Sequence, residues 1–403
     1  MITIAGGVYR ERCMRPNWDE SYGSAGRAAT AIARFGGNVD LHSFLDSNSL
    51  FIMNQRAALE GFKLVPSELA QGVTFEYVHG LSTPSIDVRS SISGLSLQIT
   101  AEKVLRFGMI EGSAIVDANY VVYDPQSASN PEPFTANGSK AKHLALVLNR
   151  YEAQIFCGTP DLDPAAMAKD LAAKENAEVV VIKMGPLGAL VYERGEVTTV
   201  PAYHTKRVWK IGSGDTFAAH FAYAWLEQGL KAHEAAAIAS KATAFYCETQ
   251  GYPTPKQLRT YSPEPLQASR RYQDGFRPLV YLAGPFFTLG QLWLIREALN
   301  DLQAMGLRVF SPYHDVGLGS ADDVVEKDLE AIHECDLLFA IGDGLDSGTI
   351  YEIGYARALG KPVVLYAENE STQDKKMMEG SDCKLSDDYV SAIYQTVWEA
   401  IKL

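Results

Sequence analysis

Strand-like and helix-like segments alternate along this chain, and one proline-rich stretch interrupts the alternation. Residues 251–278, GYPTPKQLRTYSPEPLQASRRYQDGFRP, contain five prolines, several basic residues and no strand-like run. Apolar strand-like runs alternate with segments of helical spacing both before and after it. Such alternation is typical of a parallel sheet with helices on both faces. The sequence therefore predicts two doubly wound α/β domains, at residues 1–255 and 278–403, joined by a linker at 256–277.

The composition is typical of a soluble globular protein with two hydrophobic cores. The chain has 403 residues, of which 47% are hydrophobic and 21% charged. No apolar run reaches the roughly 18 residues that a membrane span needs, and the opening MITIAGG resembles a strand and turn more than a signal peptide. The five cysteines form no CxxC pair and the eight histidines show no HxxxH spacing. We therefore expect reduced thiols, a cytoplasmic location and no zinc site.

The negative charge of the chain is concentrated in its last third. The net charge is −13, and residues 278–403 carry 21 acidic against 9 basic side chains. An acidic domain repels nucleic acid backbones, although high acidity is also an ordinary property of soluble domains. We expect small-molecule sugar, nucleoside or nucleotide substrates, no polynucleotide or membrane partner, and a homo-oligomer.

The segment IGSGDTFAAHF contains the strongest local signal before the proline-rich stretch. Gly212, Ser213 and Gly214 precede a predicted helix, so their backbone N–H groups can bind an anion at its N-terminus. Asp215 lies at the same end and could accept a proton from an attacking hydroxyl. The alternative is that Asp215 only caps the helix. The strands predicted at GVTFEYVHG and SIDVRSSI, residues 72–80 and 85–92, could form a lid or an edge sheet.

Residues 1–255 resemble the ribokinase-like (PfkB) carbohydrate kinase family. The motifs that carry the resemblance are GSAGRAATAIARFGG, LNRYEAQIF, VVVIKMGPLGALVY and GSGDTFAAHFAYAWLEQG, in family order. The resemblance implies that Asp215 is the catalytic base and that residues 212–214 bind the transferred phosphoryl group. It also implies that Asn149 and Glu152, as an NxxE motif, organise Mg²⁺ indirectly, and that Gly185 contributes to an ATP site. ATP and Mg²⁺ are the implied cofactors.

Three residues depart from the family pattern. Trp209 lies near the position where the family usually has an Asp. Glu11 replaces an Asp of the family pattern, and Arg27 replaces the Asn that binds sugar hydroxyls in the family. A guanidinium can grip a phosphate with two parallel donors, so Arg27 suggests an anionic acceptor. The alternatives are that Arg27 pairs with Glu11 or Asp19, and that the domain binds a nucleotide or nucleoside without turnover.

The segment DSGTIYEIGYA raises a second choice between a structural and a catalytic role. Thr349 and Glu352 have the spacing of a capping box at a predicted helix start. Asp328 and Asp346 are further carboxylates expected near the same strand ends. Carboxylates that lie close together shift each other's pKa values, so that one can stay ionised as a nucleophile while another stays protonated as an acid. This arrangement suits cleavage of an N-glycosidic bond.

Residues from 279 to about 400 resemble the nucleoside 2-deoxyribosyltransferase family. The carriers are YLAGPFF, EKDLEAIHECDLLFAI and DSGTIYEIGYARALGKPVV. The resemblance implies that Glu352 is the nucleophile, that Tyr281 orients it, and that Asp328 and Asp346 bind sugar or base and assist protonation. It covers relatives that hydrolyse the bond instead of transferring the sugar, and some that act on nucleotides.

The two resemblances together predict a bifunctional enzyme of nucleoside or nucleotide metabolism. One domain cleaves or exchanges the base–sugar bond, and the other phosphorylates a sugar or nucleoside with ATP. The alternative is a non-catalytic kinase-like sensor that gates an N-glycosidase. A purely structural or interaction protein is a third and weaker interpretation.

Overall fold

The computed structural model describes residues 1–87, 94–127, 130–159, 162–317 and 319–403. The chain forms two compact units. Unit 1 comprises Met1–Thr205 and Trp209–Pro265, and unit 2 comprises Lys206–Val208 and Leu266–Leu403. The stretch that the sequence predicts as a linker is divided between the two units. Its prolines do not prevent a helix at its start, because Pro255 occupies the first helical position, where its missing N–H is not needed.

Eighteen strands lie within the described residues. They are β1 Ile2–Ala5, β2 Arg10–Arg15, β3 Trp18–Ser21, β4 Val39–Leu45, β5 Lys63–Glu68, β6 Thr74–His79, β7 Ser85–Asp87, β8 Ser96–Phe107, β9 Ser113–Asp124, β10 Lys140–Asn149, β11 Val179–Lys183, β12 Ala189–Glu193, β13 Glu196–Val200, β14 Leu279–Ala283, β15 Arg308–Phe310, β16 Leu337–Ile341, β17 Val363–Tyr366 and β18 Lys384–Ser386.

Thirteen α-helices lie within the same residues. They are α1 Gly23–Arg34, α2 Ser47–Glu60, α3 Arg150–Cys157, α4 Pro164–Lys174, α5 Ser213–Ala222, α6 Ala232–Thr249, α7 Pro255–Thr260, α8 Arg270–Gln273, α9 Leu289–Ala304, α10 Ala321–Glu334, α11 Ser347–Ala358, α12 Thr372–Gly380 and α13 Tyr389–Ala400. Among the described residues, none of the helices combines the length and apolar character needed to cross a membrane.

Unit 1 is built on a nine-stranded sheet in the order β13-β12-β11-β10-β9-β8-β1-β4-β5. The pairs β11–β12 and β12–β13 are antiparallel, and the other neighbouring pairs are parallel. Apolar side chains on both faces of the sheet pack into two cores, as expected for a sheet covered on both sides. The strand order reverses between β1 and β8, and such a switch point is where α/β folds place their ligands.

A second sheet of four strands, β3-β2-β6-β7, belongs to the same unit. Strand β6 pairs with β2 in parallel and with β7 antiparallel. Strands β6 and β7 correspond to the two strands predicted as a lid or an edge sheet. The predicted second strand extended to residue 92, and residues 88–92 lie outside the described part of the chain.

Unit 2 has a five-stranded parallel sheet in the order β15-β14-β16-β17-β18. The switch point of this order lies between β14 and β16, the first and third strands of the unit. Strands β14 and β16 are almost entirely buried. The carboxyl ends of these two strands are therefore where a ligand site is expected.

Candidate active sites

The GSGD turn of unit 1 leads directly into α5. Gly212 is the residue before the helix and has a φ of 78°, a left-handed conformation that favours glycine. A Cβ atom on Gly212 would lie 2.0 Å from Arg27 Nε, so no side chain fits here. The N–H of Ser213 donates to the carbonyl of Lys210 at 3.1 Å. Asp215 lies in the first turn of α5 and not at the capping position, which Gly212 occupies.

Arg27 is fully buried between two carboxylates. Its Nη2 lies 2.6 Å from Glu11 Oε2 and its Nη1 lies 2.9 Å from Asp215 Oδ2. Burial raises the pKa of Glu11, and the Arg27 charge opposes that rise. Asp19 instead pairs with Arg10 at 2.7 Å. The prediction that Arg27 grips an anionic acceptor therefore needs correction, because its guanidinium already serves two buried carboxylates and is shielded from solvent.

Gln126 completes the surroundings of Asp215, and the sequence analysis missed it. Its Nε2 donates to Asp215 Oδ1 at 2.9 Å, and its Oε1 accepts from Ser24 Oγ at 2.6 Å. Gln126 has a φ of 53°, which is uncommon for a residue with a side chain. Strained backbone of this kind is often retained at functional sites. The glutamine thus links α1 to the first turn of α5 and holds the Asp215 carboxylate in one orientation.

Asn149 and Glu152 bind each other's backbone at the start of α3. Asn149 Oδ1 accepts from the N–H of Glu152 at 2.8 Å, and Glu152 Oε2 accepts from the N–H of Asn149 at 2.7 Å. The Glu152 carboxylate is also hydrogen-bonded by the backbone of Ser127. Burial and the nearby Asp124 charge raise the pKa of Glu152 to about 7. This reciprocal capping box fixes the pair at the start of α3, and the indirect role of Asn149 and Glu152 in organising Mg²⁺ stays a prediction.

Lys183 is a second residue that the sequence analysis missed. Its Nζ lies 2.6 Å from Asp124 Oδ2 and 3.5 Å from the place where a Cβ on Gly214 would stand. A positive charge therefore stands beside the GSGD turn. The available signal was a single lysine at the end of the apolar strand VVVIK. Gly185 follows two residues later, is exposed and has a φ of 56°, so it fits a tight turn after β11.

A cavity of about 590 Å³ opens between the four-stranded sheet and the GSGD turn. Its volume suits a small organic ligand. Phe75, Tyr77 and Ile86 line it from the lid strands, and Asp215 and Lys210 line it from the turn. Lys210 Nζ lies 2.8 Å from Ser213 Oγ, and burial lowers its pKa. The cavity offers aromatic surface on one side and charged groups on the other.

In unit 2, Tyr281 and Glu352 share a short hydrogen bond. Tyr281 Oη donates to Glu352 Oε1 at 2.5 Å. Tyr281 is completely buried on β14 and stacks on Phe310 of β15 at a ring distance of 5.6 Å. Burial raises the pKa of Glu352 to about 7, and the charges of Asp328 and Asp346 add to that rise while the Tyr281 bond opposes it. The predicted nucleophile is therefore held by the residue predicted to orient it.

Helix α11 is capped by Asp346 and not by Thr349 or Glu352. Asp346 Oδ2 accepts from the N–H of Thr349 at 2.9 Å and from its hydroxyl at 3.1 Å. The helix begins at Ser347, so Glu352 lies in its second turn, too far along to reach the capping position. The capping-box interpretation of Glu352 is thus wrong, and its carboxylate is available for another role.

Asp328 contributes a further carboxyl group from α10. Burial raises its pKa, and its Oδ1 is buried without a hydrogen-bond partner within the described residues. A raised pKa favours the protonated carboxyl group, which is the form that can donate a proton. Tyr281, Asp328 and Asp346 thus each interact with Glu352 at the switch point of the sheet.

The chain matches two family models in succession. Residues 114–257 match the pfkB family carbohydrate kinase model, and residues 280–387 match the nucleoside 2-deoxyribosyltransferase model. No curated protein matches the chain. Glu11 and Arg27 lie before the first matched range, so the departures at these two positions lie outside the family match.

Several solved structures resemble the chain. Vibrio cholerae O395 fructokinase with fructose, ADP and calcium ion has a TM-score of 0.52 and 17% identity, covering 64% of this chain and 98% of that chain. A double mutant of that fructokinase, with fructose, ADP and potassium ion, has a TM-score of 0.50 and 17% identity, covering 64% and 97%. A Burkholderia thailandensis nucleoside kinase in complex with inosine has a TM-score of 0.48 and 16% identity, covering 66% and 100%.

The likeness to the fructokinase shows a ribokinase-like α/β fold, and the smaller parallel sheet of unit 2 carries the second family match. Both the predicted fold class and the predicted order of the two families are confirmed. The chain therefore contains a region that matches the pfkB family carbohydrate kinase model, followed by a region that matches the nucleoside 2-deoxyribosyltransferase model.

Proposed function

We propose that the chain is a bifunctional enzyme of nucleoside or nucleotide metabolism whose unit 2 breaks or exchanges an N-glycosidic bond. The observation that carries the proposal is the 2.5 Å hydrogen bond from Tyr281 to Glu352, a glutamate that does not cap its helix. An ionised Glu352 attacks the anomeric carbon while the bond from that carbon to the base nitrogen breaks. Asp328 donates a proton to the departing base. A second base or water then takes the sugar from Glu352.

The test for unit 2 is a nucleoside and nucleotide panel in which products are identified by mass. Glu352→Ala is expected to abolish base release and exchange while the protein stays folded. Glu330→Gln, on the exposed side of α10, serves as a control and should keep full activity. The proposal fails if the folded Glu352→Ala protein releases base at the rate of the wild type.

For unit 1 the proposed activity is transfer of phosphate from ATP to a sugar or nucleoside in the cavity under the lid strands. The family match and the position of Asp215 in the cavity wall support it. Asp215 would accept the proton of the attacking hydroxyl, and the GSGD turn with Lys183 would bind the phosphate groups. The experiment is calorimetry with ATP followed by an ATP-consumption assay. Asp215→Asn should keep binding and lose transfer, whereas Asp170→Asn on the surface of α4 should change neither.

A second candidate is favoured by the contacts of Asp215. Both of its oxygens already accept hydrogen bonds, from Arg27 and from Gln126. A carboxylate whose two oxygens are both engaged is less free to accept a proton from a hydroxyl. Unit 1 would then bind a nucleotide or nucleoside without turnover and control the rate of base release by unit 2. The two candidates differ in one measurement. Under gating, ATP changes the rate of base release and is not consumed.

A further inference from the structure

Gln126 lies just beyond the carboxyl end of β9 and lines the cavity of about 590 Å³ in unit 1. Its φ of 53° belongs to the left-handed region, which Gly, Asn and Asp adopt at lower cost than glutamine does. A turn alone would be better served by one of those residues. The contacts of the glutamine side chain therefore supply the reason for which the strain is kept.

The neighbours of Gln126 fix which way its amide group points. Ser24 Oγ donates to Gln126 Oε1 at 2.6 Å, and Gln126 Nε2 donates to Asp215 Oδ1 at 2.9 Å. A flipped amide would place its carbonyl oxygen against the Asp215 carboxylate, and two acceptors cannot form a hydrogen bond. The Asp215 carboxylate therefore meets an N–H donor that is itself held in place from α1.

The same amide connects Asp215 to a second carboxylate at the edge of the sheet. Burial raises the pKa of Asp124, and the Lys183 charge and a hydrogen bond from Gln126 oppose that rise. An amide nitrogen has two N–H donors, so Gln126 can donate to Asp124 and Asp215 together. Lys183 pairs with Asp124 at 2.6 Å. The position of the Gln126 amide is thus fixed by groups from β9, β11 and α1.

These contacts leave Asp215 able to act as a base. An ionised carboxylate offers about four lone-pair sites, and the bonds from Arg27 and Gln126 take one on each oxygen. One donor on each oxygen restricts rotation of the carboxylate about its Cβ–Cγ bond. The remaining lone pairs are then presented in a fixed direction, and correct orientation of a reacting group is a large part of catalysis.

We propose that Gln126 is a positioning residue of unit 1, whose amide holds Asp215 in the orientation that accepts the proton of the acceptor hydroxyl. In the transfer, the hydroxyl oxygen forms a bond to the γ-phosphorus of ATP while the bond from that phosphorus to the departing ADP oxygen breaks, and the hydroxyl proton passes to Asp215. The inference rests on the proposed kinase function and adds a residue that acts through Asp215.

The test compares Gln126→Gly with Gln250→Gly in the ATP-consumption assay. Gln250 is an exposed glutamine with a φ of 58°, so both variants lose the same side chain from the same backbone conformation. Gln126→Gly is expected to lower kcat at least about tenfold, the worth of one hydrogen bond to a charged group, while both KM values stay within roughly threefold of the wild type. Gln250→Gly should leave kcat and KM unchanged.

Chemical rescue separates positioning from a merely structural role. Acetamide carries the amide group that Gln126→Gly lacks, and it should restore part of the lost kcat of this variant without affecting Gln250→Gly. Glycine adopts a positive φ freely, so Gln126→Gly is expected to fold. Should it unfold, Ser24→Ala removes only the donor to Gln126 Oε1 and should also lower kcat at unchanged KM.

Three results would overturn the role of Gln126 and leave the proposed kinase function intact. They are a kcat of folded Gln126→Gly within roughly threefold of the wild type, a loss confined to KM, and a loss of kcat that acetamide does not relieve. If Ser24→Ala has to replace Gln126→Gly, an unchanged kcat in Ser24→Ala has the same meaning. A wild type that consumes no ATP with any sugar or nucleoside overturns the proposed kinase function itself, and the role of Gln126 with it.

Discussion

Single contacts between residues distant in sequence decide the chemistry of both sites. Tyr281 and Glu352 are 71 positions apart, and their hydrogen bond holds the carboxylate of the proposed nucleophile. Arg27 and Asp215 are 188 positions apart. Their ion pair makes Arg27 a buried counterion of Asp215, whereas the sequence predicted that Arg27 binds the phosphate acceptor. Neither contact follows from local spacing, because spacing fixes only neighbours on one helix or strand.

The Tyr281 hydrogen bond predicts a shift in pH dependence. The pKa of Glu352 is raised to about 7, so its ionised form is lost as the pH falls through that value. The Tyr281 bond opposes this rise, so Tyr281→Phe should raise the pKa further. Since Glu352 must be ionised to act as the proposed nucleophile, the acidic limb of kcat/KM for base release should move upward by roughly one pH unit. A pH–rate profile of both proteins measures this, and an unmoved limb would contradict it.

The buried Arg27 predicts a large loss of stability on substitution. Removing one partner of a buried ion pair costs about 3–5 kcal/mol, because the remaining carboxylates stay buried without compensation. Arg10 forms an ion pair with Asp19 but is half exposed, so Arg10→Met should cost no more than about 1 kcal/mol. Urea unfolding of Arg27→Met and Arg10→Met compares the two directly. Equal losses of unfolding free energy in the two variants would show that the buried ion pairs of Arg27 add no more to stability than the exposed pair of Arg10.

At the scale of elements, the alternation of strands and helices could be predicted from the sequence, whereas several helix ends could not. The predicted helix at TIYEIGYARALG is α11, but its cap is Asp346, three residues before Thr349. Asp and Thr both cap helices well, so a segment with both leaves the first turn ambiguous.

Lys183 was missed for a related reason. A lysine at a strand end has no local signature of function until β9 places Asp124 beside it.

The capping role of Asp346 predicts a loss of stability that a second capping aspartate of unit 2, Asp388, can calibrate. Asp388 caps α13 in the same way, accepting from the N–H of Ser391 at 2.8 Å. Asp346→Ala and Asp388→Ala should each cost about 0.5–2 kcal/mol in thermal unfolding. Only Asp346→Ala should also reduce base release, because the Asp346 charge acts on Glu352. If both variants keep full activity, Asp346 is a cap alone.

At the scale of the molecule, two α/β units carry two family matches on one chain. The acidic character of residues 278–403 was evident from composition, as was the interruption at residues 251–278. The structure divides this stretch between Pro265, the last residue of unit 1, and Leu266, which belongs to unit 2. Composition marks where regular elements stop, but the core that a flanking segment joins depends on contacts formed only in the folded chain.

The two units predict two activities that single substitutions separate. Glu352→Gln removes the proposed nucleophile of unit 2 and leaves the GSGD site unchanged. Asp215→Asn removes the proposed base of unit 1 and leaves the Tyr281–Glu352 site unchanged. In a bifunctional enzyme, Glu352→Gln should therefore consume ATP at the wild-type rate with a suitable acceptor while releasing no base. Asp215→Asn should release base at the wild-type rate, with and without ATP, while consuming none. Both rates can be followed in one reaction mixture by mass spectrometry. The gating proposal replaces the bifunctional one under a different set of results. In that case neither the wild type nor Glu352→Gln consumes ATP, yet ATP alters the rate of base release by the wild type. This response to ATP also disappears in Lys183→Met.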